Sequence, residues 1–201
     1  MMQIAEVLTS NFPALMEALT VVSLFFATII GVIFGLMKVS GKRILKFAAD
    51  IYIDIIRGTP LMVQTMIIYY GVGQVLRPMG FMWANFGGSF TAAAVTLSLN
   101  AGAYMAEIIR GGIEAVDRGQ MEAGRSLGLS GRTTMIRIIL PQAFKNVAPA
   151  IFNEFIVLLK ETSVAGYVGI QDLTKGGDII RSITYVAYMP FFMVAAVYLV
   201  L

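Results

Sequence analysis

Cysteine and histidine are both absent from this chain of 201 residues. Without cysteine there are no disulfides, and the redox compartment leaves no mark. Without histidine as well, ordinary zinc sites and the common Ser-His and Cys-His pairs are excluded. Charge is scarce too, at 13% of residues, far less than a soluble domain of this size needs to cover its surface. No G-x-x-x-x-G-K-[ST] phosphate loop occurs, so that type of nucleotide site is missing. No low-complexity tract or evident internal repeat is present, and nothing points to nucleic acid.

What the chain has instead is apolar length. Hydrophobic residues make up 58% of it. Ala18 to Met37 is 20 residues without a charge, enough for about 30 Å of hydrocarbon. The pattern predicts an all-α, polytopic membrane protein, one domain over 1–201. Five spans are expected, at about 18–37, 60–76, 90–106, 146–159 and 182–201. The last carries Pro190, which a membrane helix tolerates where neighbours satisfy the freed carbonyl. It also runs to Leu201 without a stop, which suggests a tail beyond it.

Orientation follows from basic residues in the loops. Lys38, Lys42, Arg43, Lys46 and Arg57 follow the first span. Arg110, Arg118, Arg125, Arg132, Arg137 and Lys145 follow the third. These are eleven of the fifteen Lys and Arg. Both loops are therefore expected in the cytoplasm, with the N-terminus outside and the C-terminus inside. The first span is too long, and too far from any basic segment, to be a cleaved signal.

Between Lys38 and Thr59 the apolar positions Ile44, Leu45, Phe47, Ala48, Ile51 and Ile55 recur at helical spacing, with Lys42, Arg43, Lys46 and Asp50 on the remainder. This predicts a helix in the headgroup plane, anchored by its cations. Gly31 and Gly35 make a GxxxG pair of the kind that lets helices touch. The 13 methionines read as lipid-facing or core filler.

The stretch of about 114–141 is polar, basic and rich in helix formers, yet lies between long apolar segments. A helix is expected over 109–127. Gly128 suits a left-handed helix end, and Ser130 can cap a second helix over 131–140 that leads to Pro141. A short rigid helix of this kind can fill a groove on a partner. Ala123 and Gly124 would permit close approach, with Glu122 and Arg125 offering polar contacts at the rim. Read from residues alone, an ordinary solvated connection, basic because of topology, fits equally.

The order Glu122-Ala123-Gly124, three residues, Gly128, nine residues, Ile138, then Leu140-Pro141 resembles the EAA motif of ABC importer permeases. Gly124 departs from the Ala usual there. RGTPLMVQ (57–64), LNAGAYMAEIIRGGI (99–113) and LLKETSVAGYVGIQDL (158–173) look like the polar amino acid subgroup of that family, the histidine, glutamine and arginine type. The resemblance covers nearly the whole chain. It implies a multi-pass permease subunit in a bacterial inner membrane, whose helix between spans three and four couples to cytoplasmic ATPase subunits. Glu122, Ala123, Gly124, Arg125 and Gly128 are its coupling residues. It further implies two such ATPases, which bind ATP and Mg, a second permease copy (identical or related) and an extracytoplasmic binding protein. The chain itself would hold no cofactor and catalyse nothing.

Polar groups at membrane depth are costly and point to a cavity or a partner. Glu154 sits inside the fourth span, beside Asn153. Glu161 lies seven residues on, near the same helical face. Asn100 and Tyr104 share a face of the third span at i and i+4. Together these form a candidate pocket for an amino acid, with carboxylates taking a cationic side chain or an α-ammonium group. Arginine, lysine or histidine would suit it. The alternatives are structural: Glu161 pairing with Lys160, and Asn100 bonding across helices. Two other classes fit less well. An ion-coupled carrier or channel would show paired intramembrane charges and pseudo-repeats, and an intramembrane enzyme would need a catalytic set.

Overall fold

Backbone groups placed in hydrocarbon must bond within their own segment. Every regular element of the computed structural model is accordingly helical among the described residues, which are 12–186 and 188–200. The segment assigned to the outside at the N-terminus lies outside them. The order is α1 (Phe12–Val39), α2 (Arg43–Arg57), α3 (Leu61–Met66), a π-helical turn over Ile67–Val72, α4 (Gly73–Leu76), α5 (Gly88–Glu114), α6 (Arg118–Ser126) and α7 (Gly131–Thr134). A second π-helical stretch, Met135–Ile139, then leads into α8 (Leu140–Glu161), α9 (Leu173–Thr184) and α10 (Tyr188–Val200).

The core is the long parallel seam between α1 and α5, along which Ser23 meets Ala94, Gly31 meets Met105 and Lys38 meets Glu107. Alanine dominates the buried side of α5, with Ala92, Ala93, Ala101, Ala103 and Ala106 all sealed from solvent. Small residues let the two backbones approach. A Cβ built on Gly31 would fall 2.5 Å from the Met105 Cβ, and one on Gly35 would fall 3.0 Å from the Ala106 carbonyl. The GxxxG pair therefore seats α5 within the same chain.

α2 ends for a local reason. Pro60 disfavours helical geometry at the residue before it, and Gly58 donates back to the Asp54 carbonyl at 2.8 Å. The chain resumes as α3 and α4 after a bend of 100°. α2 is held to the seam by Tyr52, which stacks on Phe34 and donates to the Leu99 carbonyl at 2.6 Å.

The expected span segments fall on helices, with different edges. By length and apolar composition, Ala14–Val39 and Gly88–Glu114 each qualify to cross a membrane, and the bent pair α2 with Leu61–Met79 counts as one more. The expected fourth segment, 146–159, is the end of a helix that starts at Leu140 and contains Lys145, Pro149, Glu154 and Lys160, which dilute its hydropathy. The fifth, 182–201, begins on the last residues of α9, meets a break at Tyr185 (φ +56°) and continues as α10, whose described part has 13 residues.

Candidate functional site

The basic loop between α5 and α8 is the best-formed surface feature of the chain. α6 is fixed at both ends. Asp117 caps its start, its Oδ1 accepting from the Gly119 N–H at 2.8 Å. At its end Gly128 takes φ +81°, as the sequence predicted. The Leu129 N–H reaches the Gly124 carbonyl and the Gly128 N–H reaches the Arg125 carbonyl, both at 3.0 Å. These are the paired bonds of a Schellman turn. Ser130 then caps α7, accepting from the Thr133 N–H at 3.1 Å.

Glu122, Ala123 and Arg125 are exposed on α6. Gly124 is not: it is buried, and a Cβ there would lie 2.6 Å from Cγ2 of Thr134. Its smallness closes α6 onto α7 inside the chain. Leu127, which sequence reading passed over, is 81% exposed at the tip of α6. An apolar residue in a polar loop, beside the turn glycine, was the signal available.

Beneath α6, Ile113, Val116, Ile139 and Ala143 form a buried cluster with Met121 and Met135 packed against it. The cluster joins α6 to the ends of α5 and α8. Those two helices are themselves in contact at Gly112, where a Cβ would meet Val147 Cγ2 at 2.0 Å. A push on α6 therefore reaches two long helices through packed side chains. Between α6 and the end of α1 lies an open groove of about 840 Å3, with Lys38, Lys46, Arg118 and Glu122 among its walls.

The second constellation lies along α8. Glu154 is 7% exposed, and Glu161 stands half-buried two turns later. Among the described residues neither carboxylate takes a protein hydrogen bond or an ion pair, and Glu161 does not pair with Lys160. Two such carboxyl groups on one face, without a protein partner among the described residues, are available to a ligand or a second chain. Asn153 is exposed on another side of the same helix.

Asn100 and Tyr104 belong to different arrangements. Asn100 is 3% exposed and its Nδ2 donates to Gln64 Oε1 at 2.9 Å. Gln64 in turn donates from Nε2 to the Ile56 and Thr59 carbonyls at 2.6 and 3.0 Å. It thus satisfies the free end of α2 and ties the α2–α3 break to α5. A lone amide in an apolar run was the clue to it. Tyr104 is partly exposed, with the Arg57 guanidinium 5.1 Å from its ring centroid. One turn on, Glu107 binds Lys38 and Arg110, at 2.8 Å for the latter, and Lys38 also reaches Asp50 at 3.2 Å. This ionic knot joins α1, α2 and α5.

Residues 27–201 match the binding-protein-dependent transport system inner membrane component family. The chain belongs to that family. Its resemblance to ABC importer permeases of the amino acid type is thereby upheld. Among the members, ArtQ of Bacillus subtilis, an arginine transport system permease protein, is 41% identical over 91% of this chain and 80% of its own. GlnP of Rickettsia bellii, described as a glutamine transport system permease protein, is 40% identical over 90% and 80%. The crystal structure of an amino acid ABC transporter with histidines superposes with a TM-score of 0.84 at 42% identity, over 98% of this chain and 87% of that one.

Proposed function

We propose that this permease carries polar amino acids, basic ones in particular, inward across a bacterial inner membrane by alternating access. In this reading it crosses five times, with the N-terminus outside, the C-terminus inside and the basic loop in the cytoplasm, as the positive residues favour. α6 is the coupling helix. It docks in a cleft of an ATPase subunit, one per permease of a pair, and those subunits bind the ATP and Mg. A binding protein delivers the amino acid from outside.

The observation that carries the reading is the build of α6. A helix of nine residues is capped at both ends, presents Glu122, Ala123, Arg125 and Leu127 outward, and is packed at its base onto α5 and α8. Such a piece moves as a rigid body and passes a displacement to the helices that line the path. Glu154 and Glu161 supply the charge that a guanidinium, ammonium or imidazolium group would meet at depth, where Coulomb attraction is strong. Asn100 holds one wall through Gln64, Tyr104 faces Arg57, and Asn153, exposed on another side of α8, would meet a second permease chain.

The near-equal identity to GlnP supports a second reading, a neutral polar amino acid whose α-ammonium group the same carboxylates bind. The test is ATP hydrolysis by the reconstituted complex with its binding protein, against a panel of amino acids. Stimulation by arginine, lysine or histidine is expected. Stimulation by glutamine alone would favour the second reading, and none by any amino acid would overturn both.

A further inference from the structure

α2 has three distinct sides. Ala49 and Ile53 are buried against the chain, with Tyr52 and Ile56 beside them. On the opposite side Ile44, Phe47, Ile51 and Ile55 are 83%, 67%, 43% and 59% exposed. Their spacing of three, four and four residues makes one continuous stripe. The third side is polar. Four large apolar side chains in a row, on a helix otherwise well anchored, need a cover.

The charges say what kind of cover. Lys42, Arg43 and Lys46 crowd the first turn, all exposed and none in an ion pair among the described residues. No acidic residue stands in that turn, and no side chain caps it. Three cations thus sit at the positive end of the helix dipole, where an anion is favoured. Direction agrees: α2 makes a bend of 100° with the following segment Leu61–Met79. If that segment runs along the membrane normal, α2 lies close to the membrane plane.

We infer that α2 is a binding surface for anionic phospholipid, with Ile44, Phe47, Ile51 and Ile55 among the acyl chains and Lys42, Arg43 and Lys46 on the headgroup phosphates. The assignment to the inner leaflet rests on the orientation given above; the lipid preference does not. Each basic residue near an anionic surface favours it by about fivefold. An aqueous protein partner would instead have to bury a bare apolar stripe beside three uncompensated cations.

The assembled transporter is placed in nanodiscs of equimolar phosphatidylglycerol and phosphatidylcholine, with a photoreactive benzoylphenylalanine replacing Phe47. Irradiation and mass spectrometry should find lipid adducts, with phosphatidylglycerol several-fold over phosphatidylcholine. The triple variant Lys42→Gln, Arg43→Gln, Lys46→Gln should bring that ratio near one. Adducts to a second permease copy or to the ATPase would overturn the inference, as would equal capture of both lipids by the unaltered cations. Substrate-stimulated ATPase is read on the same samples. Lipid capture without stimulation would sink the transport reading and leave this one standing; the reverse would do the opposite.

Discussion

At the scale of single residues, position 124 shows how one methyl group can be decisive. Thr134 Oγ1 donates to the Ser130 carbonyl at 3.0 Å and so cannot swing away freely. Gly124→Ala would press a Cβ against a fixed side chain and should cost about 1–3 kcal/mol. Thermal unfolding in detergent would register this as a lower midpoint, and adding Thr134→Ala should restore most of it. A midpoint unmoved by the single change would mean that the two helices part easily. The sequence flagged Gly124 as small but credited its size to an outside partner. The true neighbour lies beyond a Schellman turn, and side-chain contact across a turn is not written in spacing. Glu154 was more readable, because a lone carboxylate in an apolar helix has few explanations. Glu154→Gln keeps shape and removes charge. Uptake of arginine or lysine should fall roughly tenfold or more, the scale of a lost charge-assisted bond, while glutamine uptake falls less. Equal loss for all substrates would exclude a charge-selective role.

At the scale of elements, the break between α2 and α3 was legible and its repair was not. Gly58 and Pro60 announce the end of a helix in any sequence. That Gln64 then turns back to the Ile56 and Thr59 carbonyls, and forward to Asn100, depends on a 100° bend that spacing does not encode. Asn100 was accordingly read as a pocket group with cross-helix bonding as the alternative, and the structure shows that bond. Gln64→Leu would orphan two carbonyls and the Asn100 amide, at about 1–3 kcal/mol. In a double-mutant cycle with Asn100→Leu, the pair should show coupling of roughly 0.5–3 kcal/mol. Additive losses would mean that the two amides act independently. The helix that carries the expected fourth span, about 146–159, is longer than that span, because one charge does not end a helix. α8 starts at Leu140 and passes through Lys145 and Pro149.

At the scale of the whole molecule, function depends on whether α6 moves its neighbours or is merely carried by them. Its base is packed through Met121 and Met135 onto the Ile113 cluster. Its tip offers Leu127 to whatever lies below, and Gly128 keeps the turn that aims it. A side chain with a Cβ at φ +81° is strained whatever space surrounds it, so Gly128→Val should disturb the turn, whereas Leu127→Asp leaves the backbone alone. Both variants should assemble in the membrane and bind amino acid. Both should lose most of the substrate-stimulated ATPase activity of the complete transporter, Leu127→Asp through loss of an apolar contact and Gly128→Val through misdirection of the helix. Because the chain has no cysteine, a single Glu122→Cys permits an unambiguous crosslink to a cysteine in the ATPase cleft. The expected yield changes with nucleotide, since a mechanical link shifts as the ATPases close. Full stimulation in both variants, with no crosslink in any nucleotide state, would leave α6 a passive connector.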